Sequence, residues 1–250
     1  MLTQIKSMSI LGIEGKLINI QVDVSDGMPS WEVVGLPDTS IKESKQRVRT
    51  ALKNNECYIK SRKILINLAP ASLKKEGSLF DLPIAVGLLC DFGTIIENSF
   101  EDCFFVGELS LDGSINKVNG ILPMCIEALN LGLKKAIIPY DNRFEASVVN
   151  GLDIIPVKNI VDVINHLNKT EIIKPFSVNI LDFFNQNQFS NLDFSSVKGQ
   201  KHIKRALEIA ASGGHNCLMI GSPGSRKNNA CQKNALNIAK FNVLWSSWNY

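Results

Sequence analysis

Ala71-Ser-Leu-Lys-Lys-Glu-Gly-Ser-Leu-Phe-Asp-Leu-Pro-Ile-Ala-Val86 is a charged turn that opens directly onto an apolar helix. The helix is expected over Phe80 to Leu89, with Pro83 tolerated near its start. Before it, Lys63 to Leu68 reads as a strand. Further upstream, Leu17-Ile-Asn-Ile-Gln-Val-Asp-Val24 alternates apolar and polar residues, the pattern of a half-buried strand. A turn at Ser25-Asp-Gly27 leads to Trp31-Glu-Val-Val34, expected to be its partner strand. Asp38-Thr-Ser40 offers N-cap oxygens for a helix through about Asn54. Ile41, Val48, Ala51 and Leu52 give that helix an apolar face, and five Lys or Arg between Lys42 and Lys53 take much of the rest.

Downstream, Cys103 to Val106 is a short strand and Gly107-Glu-Leu-Ser-Leu-Asp-Gly113 a hairpin signal. Strands then alternate with helices: helix Ile121 to Leu131, strand Lys135 to Pro139, helix Asn142 to Asn150, strand Asp153 to Pro156, helix Ile160 to Leu167. The mixture predicts one α/β domain of about 170 residues. Residues 175–195 shift to Asn, Gln, Ser and Phe, the composition of a linker.

The 250 residues are 45% hydrophobic and 20% charged, as in ordinary globular proteins. No apolar stretch approaches the roughly 20 residues of a membrane span, and the N-terminus lacks a secretion pattern, so a cytoplasmic protein is expected. The net charge of +3 is too small to argue for nucleic acid by itself. Cys57, Cys90, Cys103, Cys125, Cys217 and Cys231 form no C-x-x-C pair, and several sit in apolar runs, which predicts buried thiols. His166, His202 and His215 are scattered, and no metal site is expected.

The segment 71–86, Val106-Gly-Glu-Leu-Ser-Leu-Asp-Gly113 and Gly132-Leu-Lys-Lys-Ala-Ile-Ile-Pro139 resemble the N-terminal domain of the ComM/YifB group of magnesium-chelatase-like AAA+ ATPases. That domain is similar to the Lon peptidase domain, which implies a fold of the ribosomal-protein-S5 domain 2 type. A serine–lysine peptidase needs a hydroxyl nucleophile within reach of a lysine. The resemblance puts the nucleophile position at Leu79, beside Ser78, and the lysine position near Leu122. Two apolar residues cannot do that chemistry, so no peptidase activity and no catalytic residue is expected. Ser78 reads as a loop hydroxyl beside Lys74 and Lys75. The Lys74-Lys-Glu-Gly77 turn and the basic helix at 42–53 read as solvated charged faces, with phosphate contact as the alternative.

Asn191 to Ala211 resembles the opening of an AAA+ module, in which Gly199-Gln200 would lie beside the adenine and Lys201 to Ala211 form a helix. Cys217-Leu-Met-Ile220 suits the first strand of a parallel sheet. A phosphate-binding loop, G-x-x-x-x-G-K-[ST], should follow. The residues present are Gly221, Ser222, Pro223, Gly224, Ser225, Arg226, Lys227 and Asn228. Arg226 stands in place of the last glycine and crowds the backbone cradle; Asn228 replaces the hydroxyl that would hold Mg²⁺. Read one base out of frame, codons for Arg226 to Val243 can encode Gly-Lys-Thr-Met-Leu-Ala-Lys-Arg-Met-Pro-Leu-Ile-Leu-Pro-Asn-Leu-Thr; AGG AAA AAC AAT, for instance, contains GGA AAA ACA AT. One inserted base after the Ser225 codon would thus account for the damaged loop, the unfamiliar tail and an early stop.

The expected organisation is an α/β (α+β) Lon-like, S5 domain 2-like domain over 1–172, a linker over 173–192, an incomplete AAA+ P-loop segment over 193–228 and an aberrant, disordered tail over 229–250. The resemblance implies ATP and Mg²⁺ as cofactors, a homo-hexamer and DNA as partners, no membrane, and DNA branch migration in natural transformation. For this chain it implies a truncated member without ATPase activity or bound cofactor. The alternatives are a magnesium-chelatase ATPase subunit, disfavoured by the Lon-like domain in front, and a non-enzymatic oligomerisation or binding module.

Overall fold

A computed structural model describes residues 2–96, 102–178, 199, 201–213, 215 and 217, in two units, Met1–Ile180 and Leu181–Tyr250. In the first unit β2 (Glu14–Ser25) is flanked on both sides: β1 (Leu2–Leu11) pairs with it antiparallel, Ile5 opposite Ile20, and β4 (Lys63–Ala69) does the same from the other edge, Leu68 opposite Ile20. This leaves no place beside β2 for β3 (Ser30–Val34). Contrary to the expected hairpin, β3 pairs parallel with β4, Trp31 opposite Ile64, giving the order β1-β2-β4-β3. Parallel neighbours need a long crossover, and α1 (Thr39–Asn54), between β3 and β4, supplies it. Asp38 caps α1 as its sequence predicts, accepting the Ile41 N–H at 2.9 Å.

β1 escapes a reading by hydrophobic pattern because its inward positions include Thr3, Ser7 and Ser9, all buried. Their hydroxyls are usable inside: Ser7 Oγ donates to the Phe105 carbonyl at 2.8 Å and Thr3 Oγ1 to Asp91 at 2.6 Å. α2 (Asp81–Asp91) is buried from Asp81 through Leu89 and packs on β1, β2 and α1. A Cβ on Gly87 would stand 2.6 Å from Val22 Cγ2, so glycine is what permits the helix to lie this close to the strand.

A second sheet is parallel, in the order β5 (Cys103–Phe105), β8 (Lys135–Pro139), β9 (Asp153–Val157). Between β5 and β8 come a small hairpin, β6 (Glu108–Leu109) with β7 (Ile115–Asn116), and α3 (Ile121–Asn130). The helix expected over Asn142 to Asn150 is much shorter: a 3-10 turn (Tyr140–Asn142) and one turn of α4 (Arg143–Ala146). Buried Asn142 accepts the Val118 N–H at 2.9 Å and donates to its carbonyl at 2.8 Å, and this side-chain competition fixes the turn. α5 (Ile160–Leu167) begins with a capping box of Asn159 and Asp162.

Two apolar clusters fill the unit, one around β2, β4, α1 and α2, the other around α3, β8 and Met8. The mixed α/β fold agrees with the sequence reading. Past α5 the chain returns to β9: Phe176 N–H donates to the Ile154 carbonyl at 2.8 Å, and its ring meets Phe144 edge-on at 5.3 Å.

In the second unit the described helix, α6 (Lys201–Gly213), follows Gly199, whose φ of +76° suits glycine. The expected strand at Cys217–Ile220, apart from Cys217, the loop at 221–228 and the tail at 229–250 lie outside the described residues. Of the linker expected over 173–192, residues 179–192 also lie outside the described residues, whereas Ile173 and Phe176 bond to the first unit.

Candidate functional site

The turn between β4 and α2 carries Leu79, the position to which the Lon resemblance assigns a nucleophile. Leu79 is partly buried and touches both apolar clusters. Its carbonyl accepts the Gly107 N–H at 2.9 Å, so the position is held by the β6 hairpin. Ser78 next to it hydrogen-bonds through Oγ to the Glu108 carboxylate. Asn116 Nδ2 donates to the other oxygen of that carboxylate at 3.3 Å. A hydroxyl that donates to a carboxylate has no lysine taking its proton. Leu122, at the start of α3, is partly buried and offers its backbone N–H to Glu145 at 3.3 Å.

The lysines of the turn part company. Lys74 is exposed and pairs with Glu76 at 2.6 Å. Lys75 does not belong to a solvated face, as its sequence context suggests, but is fully buried. Its Nζ donates to the Gly35 carbonyl at 2.9 Å and also to the Pro70 carbonyl. Two neutral carbonyls and no carboxylate surround the ammonium, and burial pushes its pKa below the usual lysine value. Backbone bonds add to this clasp: Lys75 N–H to Leu36 O at 3.3 Å and Asp38 N–H to Lys75 O at 3.1 Å. Gly35 must be glycine, since φ is +99° and a Cβ would lie 2.2 Å from the Leu68 carbonyl. Lys75 is a strut that holds the turn onto the end of β3.

The basic face of α1 also divides. Arg47 turns inward, its Nε 2.7 Å and Nη2 3.0 Å from the two oxygens of buried Asp81. Nη2 also reaches the Ser40 carbonyl at 3.0 Å, and the Leu109 N–H donates to Asp81 at 3.3 Å. Burial raises the Asp81 pKa, opposed by the Arg47 guanidinium; the same contact raises that of Arg47. The available signal was Asp81 itself, an acid opening an otherwise apolar helix. Lys42, Arg49 and Lys53 stay exposed and Lys45 half-buried.

No group of three or more His, Cys, Asp or Glu side chains able to hold a metal occurs among the described residues. Cys103 and Cys125 are buried, their thiols pushed up to about 11 and about 12 by desolvation. Cys57 and Cys90 are half-buried, Cys217 is exposed, and Cys231 lies outside the described residues. Among the described residues no helix is long and apolar enough to cross a membrane. Of the nucleotide-site residues read from the sequence, Gly199 is described and exposed; Gln200 and Gly221 to Asn228 are not described.

A family described as "Subunit ChlI of Mg-chelatase" matches residues 20–142, and one described as "Magnesium chelatase, subunit ChlI" matches residues 193–238. The competence protein ComM of Haemophilus influenzae is 39% identical over 228 residues, covering 88% of this chain and 43% of that protein. The protein YifB of Escherichia coli is 37% identical over 227 residues, 90% of this chain and 44% of that one. Lon protease 2 of Bacillus subtilis is 28% identical over 186 residues, 66% of this chain and 33% of that one. The chain thus spans less than half the length of the curated relatives it matches.

Proposed function

Because this chain belongs to the ComM/YifB family of magnesium-chelatase-like proteins, we propose that it is the front part of an ATP-dependent DNA-remodelling protein of natural transformation. The observation that carries this reading is the pairing in one chain of a Lon-like unit with the opening of an ATPase module. The stretch shared with the competence protein ComM, 88% of this chain, overlaps both family matches. The Lon-like unit has no peptidase role in this reading, because Ser78 donates to Glu108 and Leu79 and Leu122 occupy the dyad positions. It serves the assembly as a rigid binding or oligomerisation module.

ATP and Mg²⁺ belong to the family chemistry, and the donor set here does not fit them. Arg226 stands where the cradle needs glycine, and Asn228 offers an amide where Mg²⁺ takes a hydroxyl. In the reading proposed, this chain as translated does not hydrolyse ATP, and a base inserted after the Ser225 codon is the cause. Gly199-Gln200 would flank the adenine in a repaired protein, as a hexamer on DNA.

The test is to delete one base after the Ser225 codon in the gene. Translation should run through Gly-Lys-Thr into a longer protein with Mg²⁺-dependent ATPase activity that moves a four-way DNA junction. A stop codon soon after the repair, or a long product without nucleotide affinity, overturns the reading. Insertion of Mg²⁺ into a porphyrin by the repaired protein, rather than junction movement, would favour the chelatase subunit named by both family matches.

A further inference from the structure

Two clefts adjoin on one side of the first unit, between the outer face of α1 and the chain from Tyr58 to Arg62. The larger, about 270 Å³, is lined by Gln46, Arg49, Thr50, Lys53, Tyr58 and Ile59. The smaller, about 50 Å³, has Ser30, Trp31, Lys45, Arg49, Lys60 and Arg62 in its walls. Arg49 lines both, so they form one groove. Five of the lining side chains are basic and none is acidic.

Three of these cations sit at positions four apart, Lys45, Arg49 and Lys53. On a helix this is a row along one face with about 6 Å of rise between members. Such a row of like charges repels itself along the helix. Neighbouring Arg47 escapes by pairing with Asp81. Lys45, Arg49, Lys53 and Lys60 form no ion pair among the described residues, while Arg62 meets exposed Asp26 at 3.0 Å. The row is therefore an uncompensated line of positive charge along one face of α1.

The groove also carries a group a mere solvated face does not need. Tyr58 is 75% exposed, a large ring held at the lip of a basic cleft.

We propose that this groove binds single-stranded nucleic acid, with phosphates along Lys45, Arg49 and Lys53 and an unpaired base stacked on Tyr58. A basic track joined to an aromatic platform is the combination by which proteins hold single strands without reading sequence. A concave groove admits a strand, whereas a flat lipid surface cannot enter it. An exposed tyrosine finds a base face only where bases are unpaired, which favours a single strand over a duplex. The groove carries this independently of the ATPase reading, since no ATP is involved.

The test is fluorescence anisotropy of the full chain with a labelled oligothymidylate at several salt concentrations. The triple variant Lys45→Ala, Arg49→Ala, Lys53→Ala should weaken binding at least tenfold. It should also flatten the slope of log affinity against log salt by about 2, since each phosphate contact on a single strand contributes about 0.7. Tyr58→Ala should weaken binding about fivefold or more while leaving the slope unchanged. The control Lys117→Ala, Lys169→Ala, Lys174→Ala removes the same charge from exposed sites elsewhere and should bind like the parent. All the substitutions are at exposed or half-buried positions, and an unchanged heat-unfolding midpoint shows that a variant is folded. No binding by the parent at low salt, equal losses in triple and control, or tighter binding to a duplex or to anionic phosphatidylglycerol vesicles would each overturn the proposal.

Discussion

Arg47 and Asp81 meet in a two-point contact, Nε to Oδ2 at 2.7 Å and Nη2 to Oδ1 at 3.0 Å, between α1 and the first residue of α2. Asp81 is fully buried, so among the described residues removing the arginine would leave its carboxylate with the Leu109 N–H alone. Arg47→Ala should cost roughly 3 kcal/mol, lowering the unfolding midpoint by about 6–12 °C. Arg47→Met with Asp81→Leu should recover most of the loss, because a buried ion pair is often replaceable by apolar residues of similar size. Differential scanning calorimetry decides it; a single variant as stable as the parent would mean the pair holds nothing together.

Peptidase activity should be absent. Casein and peptide substrates should stay at background with the parent and with Ser78→Ala alike. Cleavage by the parent that disappears on Ser78→Ala would show that the hydroxyl hydrogen-bonded to Glu108 is a nucleophile after all.

The end of the first unit should matter for its stability. A chain cut after residue 172 loses the Phe176 bond to Ile154, the Phe144–Phe176 ring pair and the Ile173 N–H bond to His166. A chain cut after residue 178 keeps all three. Both should unfold cooperatively, the shorter one about 4–8 °C lower, as expected for about 2 kcal/mol. Equal midpoints would make the returning segment dispensable.

His166 should make the first unit sensitive to mild acid. Burial, with a contribution from Lys135, holds its pKa below the usual 6.5, and its Nδ1 accepts the Ile173 N–H at 3.1 Å. The unfolded chain therefore binds a proton that the folded one refuses. Stability from this group is complete above the unfolded pKa and declines as pH falls through about 6.5 and below. Over pH 7.5 to 5.5 the parent should lose more stability than His166→Gln, which keeps an acceptor and does not titrate. Parallel curves for the two would refute this.

Local repair of the loop should not restore nucleotide binding. Arg226→Gly with Asn228→Thr rebuilds the cradle and the Mg²⁺ ligand. The residues from Asn229 to Val243 in this frame still do not match the helix expected behind the loop. ATP affinity measured by calorimetry should remain undetectable or near a Kd of 1 mM, about −4 kcal/mol. Micromolar binding by the double variant would place the defect in two side chains and discard the frameshift.

The sequence by itself determined the elements and most of their order. Asp38 as a cap, the apolar run of α2 and the alternation in β2 are local signals, legible because capping and periodicity act over a few residues. It also put apolar residues, Leu79 and Leu122, at the positions the Lon resemblance assigns to nucleophile and lysine. Tertiary structure alone decided which strands meet and where the cations go. Ile20 has partners on both sides, so β3 is displaced to the far edge of β4, a fact about occupied space that no local pattern carries. Buried serines of β1 hide that strand from any hydrophobic count. Lys75, Arg47 and Lys45 look equivalent in the sequence as basic residues of charged stretches. One ends among backbone carbonyls, one on a buried carboxylate and one in an uncompensated row, because the field each meets is set by residues far along the chain.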